Sequence, residues 1–548
     1  MSRRFVSQLS GVWSGFRDFA AEHKRTGWFT AFVILASWGV LASRGDIGVD
    51  TEIMLSFPEV MLKSWCGIGR WGLVFTKRFL EFGQFSQSAA VIASMGALWL
   101  LCMTVNFAVY QWSGGDERYG FFYPVFSAVY ATSPCLAEQF YFLLQSFEVI
   151  WGILMAAAAV YAAGRYVYWR ESPVWLAVSA VCGVWALGSY QAMACVFIGL
   201  SAFSFLLVYQ RGGTGREPGG KWKWFRCGVS FVAVFLVMLA GYMAVSAAVQ
   251  RFMGEASSYI GDMILWKREE ARLCLYYIKK DMQDIYFGRK VFYSALGLPV
   301  LMLGTALFLR RGWKCGEKER ILYVMAGGFF IFSPTCITIL TGFYQGVRVQ
   351  MAYPFVLALG CGVLTTAGGR GKAGESGREE RQAGIWRIAW GEQAGTAAAV
   401  CLCAVVAWGQ WITSQRLLDT MHMVSEQDIR KCEAVYREAQ ALAAESGQDI
   451  RDKSLVFVGI QESELSPASL RGDMIGHSVF QWDADGIVGV SERVGNLMRA
   501  LGLSHEKASQ QQYEEGKTRA SSMPCWPVEG SVALEGDMII IKLSEPVS

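Results

Sequence analysis

The chain has 548 residues, of which 53% are hydrophobic and 18% charged, with a formal net charge of +4. A soluble protein carries about 25% charged residues, and the mean hydropathy of +0.29 matches the deficit, so a large soluble enzyme is excluded. The small positive balance follows from loop asymmetry across a membrane and points to no nucleic-acid partner.

The N-terminal stretch MSRRFVSQLSGVWSGFRDFAAEHKRTG is basic. Beyond it, long stretches carry no charge: Arg25 to Arg44, Glu81 to Asp116, Arg118 to Glu138, Glu148 to Arg165, Glu171 to Arg211, Arg226 to Arg251, Lys290 to Arg310, Arg320 to Arg348, Arg348 to Arg370 and Glu392 to Arg416. A helix needs roughly 20 apolar residues to cross the hydrocarbon core. Each gap suits one crossing except Glu171 to Arg211, which is about twice as long and is broken by GSYQAM, the signature of two helices joined by a tight turn. The expectation is a mainly α, polytopic helical membrane bundle of about 11 transmembrane helices. Continuous apolar runs, not alternation, favour helices over a barrel. The first run is long enough to span and has no A-x-A-like site behind it, so no cleavable signal peptide is expected.

Lysine and arginine at the span ends orient the bundle. With the N-terminus in the cytoplasm, the inside loops include GRYVYWRES, RGGTGREPGGKWKWFR, RRGWKCGEKER and GGRGKAGESGREERQAGIWR, all basic, and the nearly neutral SGGDERYG. The outside set includes SPCLAEQ, GSYQAM and GFYQGVRVQ, with one basic residue in total. Two outside loops are long. The first, from Arg44 to about Phe85, carries Trp65, Trp71 and Phe75 among basic residues, which suggests helices lying in the interface. The second runs from Gln250 to Tyr293 and is also amphipathic.

The tail opens with the amphipathic pattern LLDTMHMVSEQDIRKCEAVYREAQALAAES. SLVFVGI reads as a buried strand, VGNLMRALGL as a short helix and DMIIIKLS as a final strand. The division is therefore residues 1–411 as the multi-pass domain and 412–548 as a small C-terminal α/β domain outside the cytoplasm. Most of the 14 cysteines lie in apolar runs; Cys432 and Cys525 fall in the tail, and spacing leaves their pairing open. His23, His422, His477 and His505 all lie outside the spans, which argues against a histidine-rich site in the membrane.

Candidate chemistry starts where the first span ends. SRGDIGVDTEIMLSFPEV holds Asp46, Asp50 and Glu52 within seven residues. Asp50 suits an N-cap for a helix starting at Thr51. It equally suits a carboxylate that takes a proton from an attacking hydroxyl, with Glu52 or Asp46 assisting. Two acids two residues apart also suit a divalent cation, Mg or Mn. In the same loop GIGRWG places Arg70, and GFYQGVRVQ places Arg348 at an outer span end. Arginine grips phosphate with two donors at once, or else simply snorkels at the interface. Glu138, Gln139, Tyr190 and Gln191 lie at or near outer span ends, and Glu148 lies a turn or two inside, where a charge usually faces the bundle interior.

An acidic first outer loop, a GRWG-type motif, an EQ early in a span, a YQ hairpin and a late outer arginine resemble the bacterial multi-pass type II O-antigen glucosyltransferase family. The tail's LVFVGI, FQWD and SMPCWPVEGSVALEGDMIIIKLS are similar to that family's Gram-positive relatives. The resemblance implies a GT-C-like membrane glycosyltransferase that moves a sugar, expected to be glucose, from a polyprenyl-phosphate carrier to a cell-envelope glycan or glycolipid acceptor at the outer face of the cell membrane. It maps the family's acidic loop onto Asp46, Asp50 and Glu52 and its arginine motif onto Arg70; Arg348, Glu138, Gln139, Tyr190 and Gln191, at or near outer span ends, are the expected substrate contacts beside Arg70. A transporter or flippase of lipid-linked sugars and a non-catalytic membrane scaffold are the alternatives.

Overall fold

The computed structural model describes residues 3–80, 85–213, 222–254, 259–314, 319–367, 382–482 and 489–545. Every charge-poor gap holds helix. In chain order these are Lys24–Trp38 with Leu41–Arg44, Gln87–Ser113, Phe122–Ala131 with Cys135–Tyr141, Leu143–Val167, Val174–Ser189, Met193–Gln210, Lys223–Met253, Gly297–Lys314, Arg320–Phe332 with Cys336–Thr341, Ala352–Thr365 and Gln382–Glu445. Among the described residues six helices are long and apolar enough to cross a bilayer, and Val174–Ser189 and Ala352–Thr365 are shorter apolar helices.

The shortfall from eleven has local causes. Pro134 stands between Phe122–Ala131 and Cys135–Tyr141, and Lys24–Trp38, Val174–Ser189 and Ala352–Thr365 are short; Pro334 sits in the 3-10 turn Ser333–Thr335, although Arg320–Thr341 as a whole is among the six. Proline lacks an N–H and disfavours helix at the residue before it, so both segments break. GSYQAM does turn the chain, and helices end at Ser189 and restart at Met193. The stretches 214–221, 315–318 and 368–381, which hold much of three basic loops expected inside, lie outside the described residues, as does Asp483 of FQWD.

Leu143–Val167, Met193–Gln210 and Ala352–Thr365 form the buried centre. Lys223–Met253 and the first part of Gln382–Glu445 turn Val232, Leu236, Val237, Val405 and Trp408 outward, as a lipid-facing surface requires. Glu148 faces inward and meets Lys77 at 2.7 Å, with neither side chain exposed. Taking two charges from water is costly unless they pair, and this pair ties Trp71–Leu80 to the central helix.

The first long loop, expected outside, folds as Thr51–Ser56, Pro58–Gly67 and Trp71–Leu80. Only part of its aromatic set is free to meet an interface: Phe75 is exposed, but Trp65 and Trp71 are buried, and Trp71 Nε1 donates to Ser246 Oγ at 3.1 Å. The second long loop carries Ala271–Phe287.

The last apolar run and the first tail helix are one continuous helix through the 411/412 boundary. Beyond it, β1 (Ser454–Val458), β2 (Val532–Glu535) and β3 (Met538–Lys542) form a sheet of order β1-β3-β2, parallel between β1 and β3 and antiparallel between β2 and β3. Leu455, Phe457, Ile539 and Ile541 face Val490–Ala500, while Val456, Val458, Met538 and Ile540 face Gln510–Ala520. A strand covered on both faces reads as an unbroken apolar run, which is why SLVFVGI and DMIIIKLS stand out. The polar helix Gln510–Ala520 and β2 have no such mark and were not expected. Cys432 and Cys525 are both free thiols.

Candidate active site

Two short motifs dock to build one wall of the site. A Cβ on Gly72 would lie 2.5 Å from the Ser189 backbone nitrogen, and one on Gly188 would lie 2.5 Å from the Trp71 ring. The glycines therefore let GRWG sit directly against the GSYQ turn. This brings the Arg70 guanidinium over the Tyr190 ring, 4.1 Å from its centroid. Arg348 arrives from the 3-10 turn Val347–Val349 and lies over Phe142 at 4.8 Å. Both guanidinium groups act electrostatically on the Tyr190 hydroxyl. Burial pushes that phenol up, but the two cations outweigh it and hold it below the ordinary tyrosine value.

Gln139 and Gln191 do supporting work. Gln139 Nε2 donates to the Arg348 carbonyl at 2.8 Å. Gln191 Nε2 donates to Tyr242 Oη at 2.8 Å and to the Ile68 carbonyl at 3.2 Å. Gln139 thus holds the turn that carries Arg348, and Gln191 holds the loop that carries Arg70.

Arg70, Arg348, Tyr190, Gln191, Glu138 and Asp473 line a cavity of about 320 Å³. Glu138 is fully buried. Its Oε1 accepts from the Asp473 N–H at 2.7 Å and the Met474 N–H at 3.1 Å, while Oε2 has no hydrogen-bond partner among the described residues. Asp473 in turn accepts from Lys290 Nζ at 2.8 Å and from the Val347 N–H at 2.6 Å. A loop of the tail therefore closes a cavity whose cations come from the membrane part. Sequence reasoning missed Asp473 and Lys290. The acid between glycines in RGDMIG was the only local sign.

The three acids of the first loop separate. Asp50 does precede helix Thr51–Ser56, but at φ +69° and without a side-chain cap. The left-handed region is tolerated by Asp better than by most residues. It turns the carboxylate to Arg493 Nη1 of the tail helix, at 3.2 Å, where Glu52 Oε1 also binds at 2.7 Å. Arg493 stacks over Trp482 at 4.9 Å. Burial raises the Glu52 carboxyl, and although Arg493 opposes this, its pKa reaches about 7. Asp46 instead meets His422 Nδ1 at 2.6 Å, with Oδ2 buried and unpartnered among the described residues. Burial pushes Asp46 up, and His422 opposes that too. No cluster of three or more His, Cys, Asp or Glu placed to hold a metal ion is found among the described residues, and the positive charge between Asp50 and Glu52 is supplied by Arg493. Tyr141 links the acidic and cationic regions: its hydroxyl accepts from the Val49 N–H at 3.1 Å, and Glu52 and Glu138 are both electrostatic neighbours.

Fold and site together define a helical membrane protein with a buried, doubly cationic cavity edged by carboxylates. The family described as Glucosyl transferase GtrII matches residues 43–359, more than half of the chain, and the protein belongs to it. It is therefore a glycosyltransferase. The match contains all nine candidate residues of the sequence analysis; Lys290 falls within it, whereas His422, Asp473 and Arg493 lie beyond it. No curated protein and no solved structure matches the chain.

Proposed function

We propose that the protein transfers a sugar, glucose in the first instance, from a polyprenyl-phosphate carrier to a cell-envelope glycan acceptor at the outer face of the membrane. The convergence of Arg70 and Arg348 on Tyr190 carries this reading. They are far apart in sequence, and their shared position gives the cavity the character of an anion site. In the reaction the acceptor hydroxyl attacks the anomeric carbon, the bond to the phosphate oxygen breaks, and the carrier phosphate leaves with the bonding pair. Guanidinium groups at that oxygen favour the transition state over the ground state. The acceptor proton passes to a carboxylate. Asp50, with Glu52 sharing Arg493, is our first choice for that base, and Asp46 the next. A Glu52 pKa near 7 suits proton transfer at neutral pH. Glu138 is a substrate contact at the cavity wall.

The topology that goes with this reading has eleven crossings, counting the Pro-broken and short helices, with the N-terminus in the cytoplasm and residues 412–548 outside. The basic inside loops and the position of the tail loop over the arginine cavity support it. The test is transfer itself. Purified full-length protein in detergent, given polyprenyl-phosphate-glucose and cell-wall polymer, should release polyprenyl phosphate and label the polymer. Movement of intact lipid-linked sugar across liposomes without transfer would favour the flippase alternative, and neither activity would leave a scaffold.

A further inference from the structure

We propose that the isoprenoid chain of the donor lies in a lateral groove between Met193–Gln210, Lys223–Met253 and Arg320–Phe332. The inference rests on the donor reading above and gives it a second subsite. The groove is about 330 Å³, and its lining includes Phe197, Gly228, Phe235, Ala326 and Cys336. Its lining adjoins that of the arginine cavity along the chain: Cys336 lines the groove and the next residue, Ile337, lines the cavity. The Met193–Gln210 wall begins just after the Tyr190–Gln191 turn, so it descends from the cation pair into the bundle. The rim opens sideways, with Val232, Met325 and Phe329 about half exposed. A Cβ on Gly228 would meet nothing within 4 Å, so space remains at the wall.

A cavity with paired guanidinium groups and an apolar groove beginning one residue along the chain from it match a ligand with an anionic head and a long branched hydrocarbon tail. A second apolar groove of about 460 Å³, lined by Phe29, Val125, Ala404 and Trp408 among others, has no lining residue next in the chain to one of the arginine cavity. It supplies the control.

Gly228→Leu fills the proposed groove, and leucine is a better helix residue than glycine. With polyprenyl-phosphate-glucose as donor, Gly228→Leu and Ala326→Leu should raise KM roughly tenfold with kcat little changed. With geranyl-phosphate-glucose, which is too short to reach the filled part, both should match the unsubstituted protein. Ala404→Leu in the other groove should leave both donors unaffected. A polyprenyl phosphate carrying a diazirine at its far end should label peptides of Lys223–Met253 on illumination, and less so in Gly228→Leu. An unchanged long-to-short donor ratio in Gly228→Leu overturns the proposal, as does a selective effect of Ala404→Leu. Labelling confined to other helices overturns it as well and would leave the groove to ordinary membrane lipid. Transfer from neither donor by the unsubstituted protein would instead remove the donor reading, and the groove with it.

Discussion

Arg348 and Glu52 are the side chains whose surroundings say most about their work. Arg348 is steered by Phe142, Tyr190 and the carbonyl contact to Gln139. Loss of one preorganised donor to a developing charge costs about 2–4 kcal/mol in the barrier, and lysine lacks the fork that grips two oxygens. Arg348→Ala should therefore lose most kcat/KM at normal protein level, with Arg348→Lys intermediate; near-normal turnover in Arg348→Ala would remove it from the site. Glu52 gives a pH signature. Its carboxyl rises from 4.5 to about 7 on folding, so between those values the folded state binds more proton than the unfolded one. Stability then falls as pH rises through that window, and the neutral form's advantage is gone above about 7. Melting curves of Glu52→Gln should lack this decline. If Glu52 is also the working base, transfer should rise through neutral pH, and Arg493→Gln, by removing the cation that favours the carboxylate, should move the midpoint upward.

At the scale of elements, the contact between Trp71–Leu80 and the Val174–Ser189 end decides whether the cations meet. Gly72 has backbone, not a flexible side-chain tip, as its nearest neighbour. A side chain there must push the two motifs apart, and overpacking of this kind costs about 1–3 kcal/mol. Gly72→Val should lower the melting temperature and raise donor KM together, because Arg70 is joined directly to helix Trp71–Leu80 and moves with it. Gly96→Ala, in a helix interior with nothing within 4 Å, should leave donor KM unchanged and the melting temperature no lower. Equal behaviour of the two variants would mean that the motif contact does not position Arg70. The GRWG and YQ motifs were visible as short strings, but their mutual fit was not. It depends on the absence of a Cβ at two points that only docking brings together.

Across the whole molecule, the tail reaches the candidate site residues through Asp473 over the cavity, Arg493 on Asp50 and Glu52, and His422 on Asp46. The site therefore straddles the proposed 411/412 boundary. Asp473→Ala frees Lys290 and one tie to the Val347 turn, so proteolysis between residues 466 and 476 should speed up and donor KM should rise. An unchanged cleavage rate would show that the loop is held from elsewhere. Single cysteines replacing Arg17 and Glu514 on a cysteine-free background should label from opposite faces of sealed vesicles. Labelling from one face would sink the eleven-span topology.

How much was legible follows from which forces act locally. A bilayer core offers no water to satisfy backbone groups, so crossing segments must be helical and free of charge, and that demand is written into each gap between charges. The doubly covered strands β1 and β3 declare themselves for a similar reason: burial on both faces removes every polar position. The breaks at Pro134 and Pro334 were also in the string, although hydropathy passed over them. Partner choice was not there to read. Asp50 sits where an N-cap belongs, yet its carboxylate goes to Arg493, 443 residues away. Loop closure costs only slowly more with length, so nothing in sequence distance marks which cation a carboxylate will find. Tertiary packing alone separated Asp46 from its neighbours, drew Arg70 and Arg348 onto one tyrosine, and set Asp473 above them, because those pairings depend on where already folded surfaces meet.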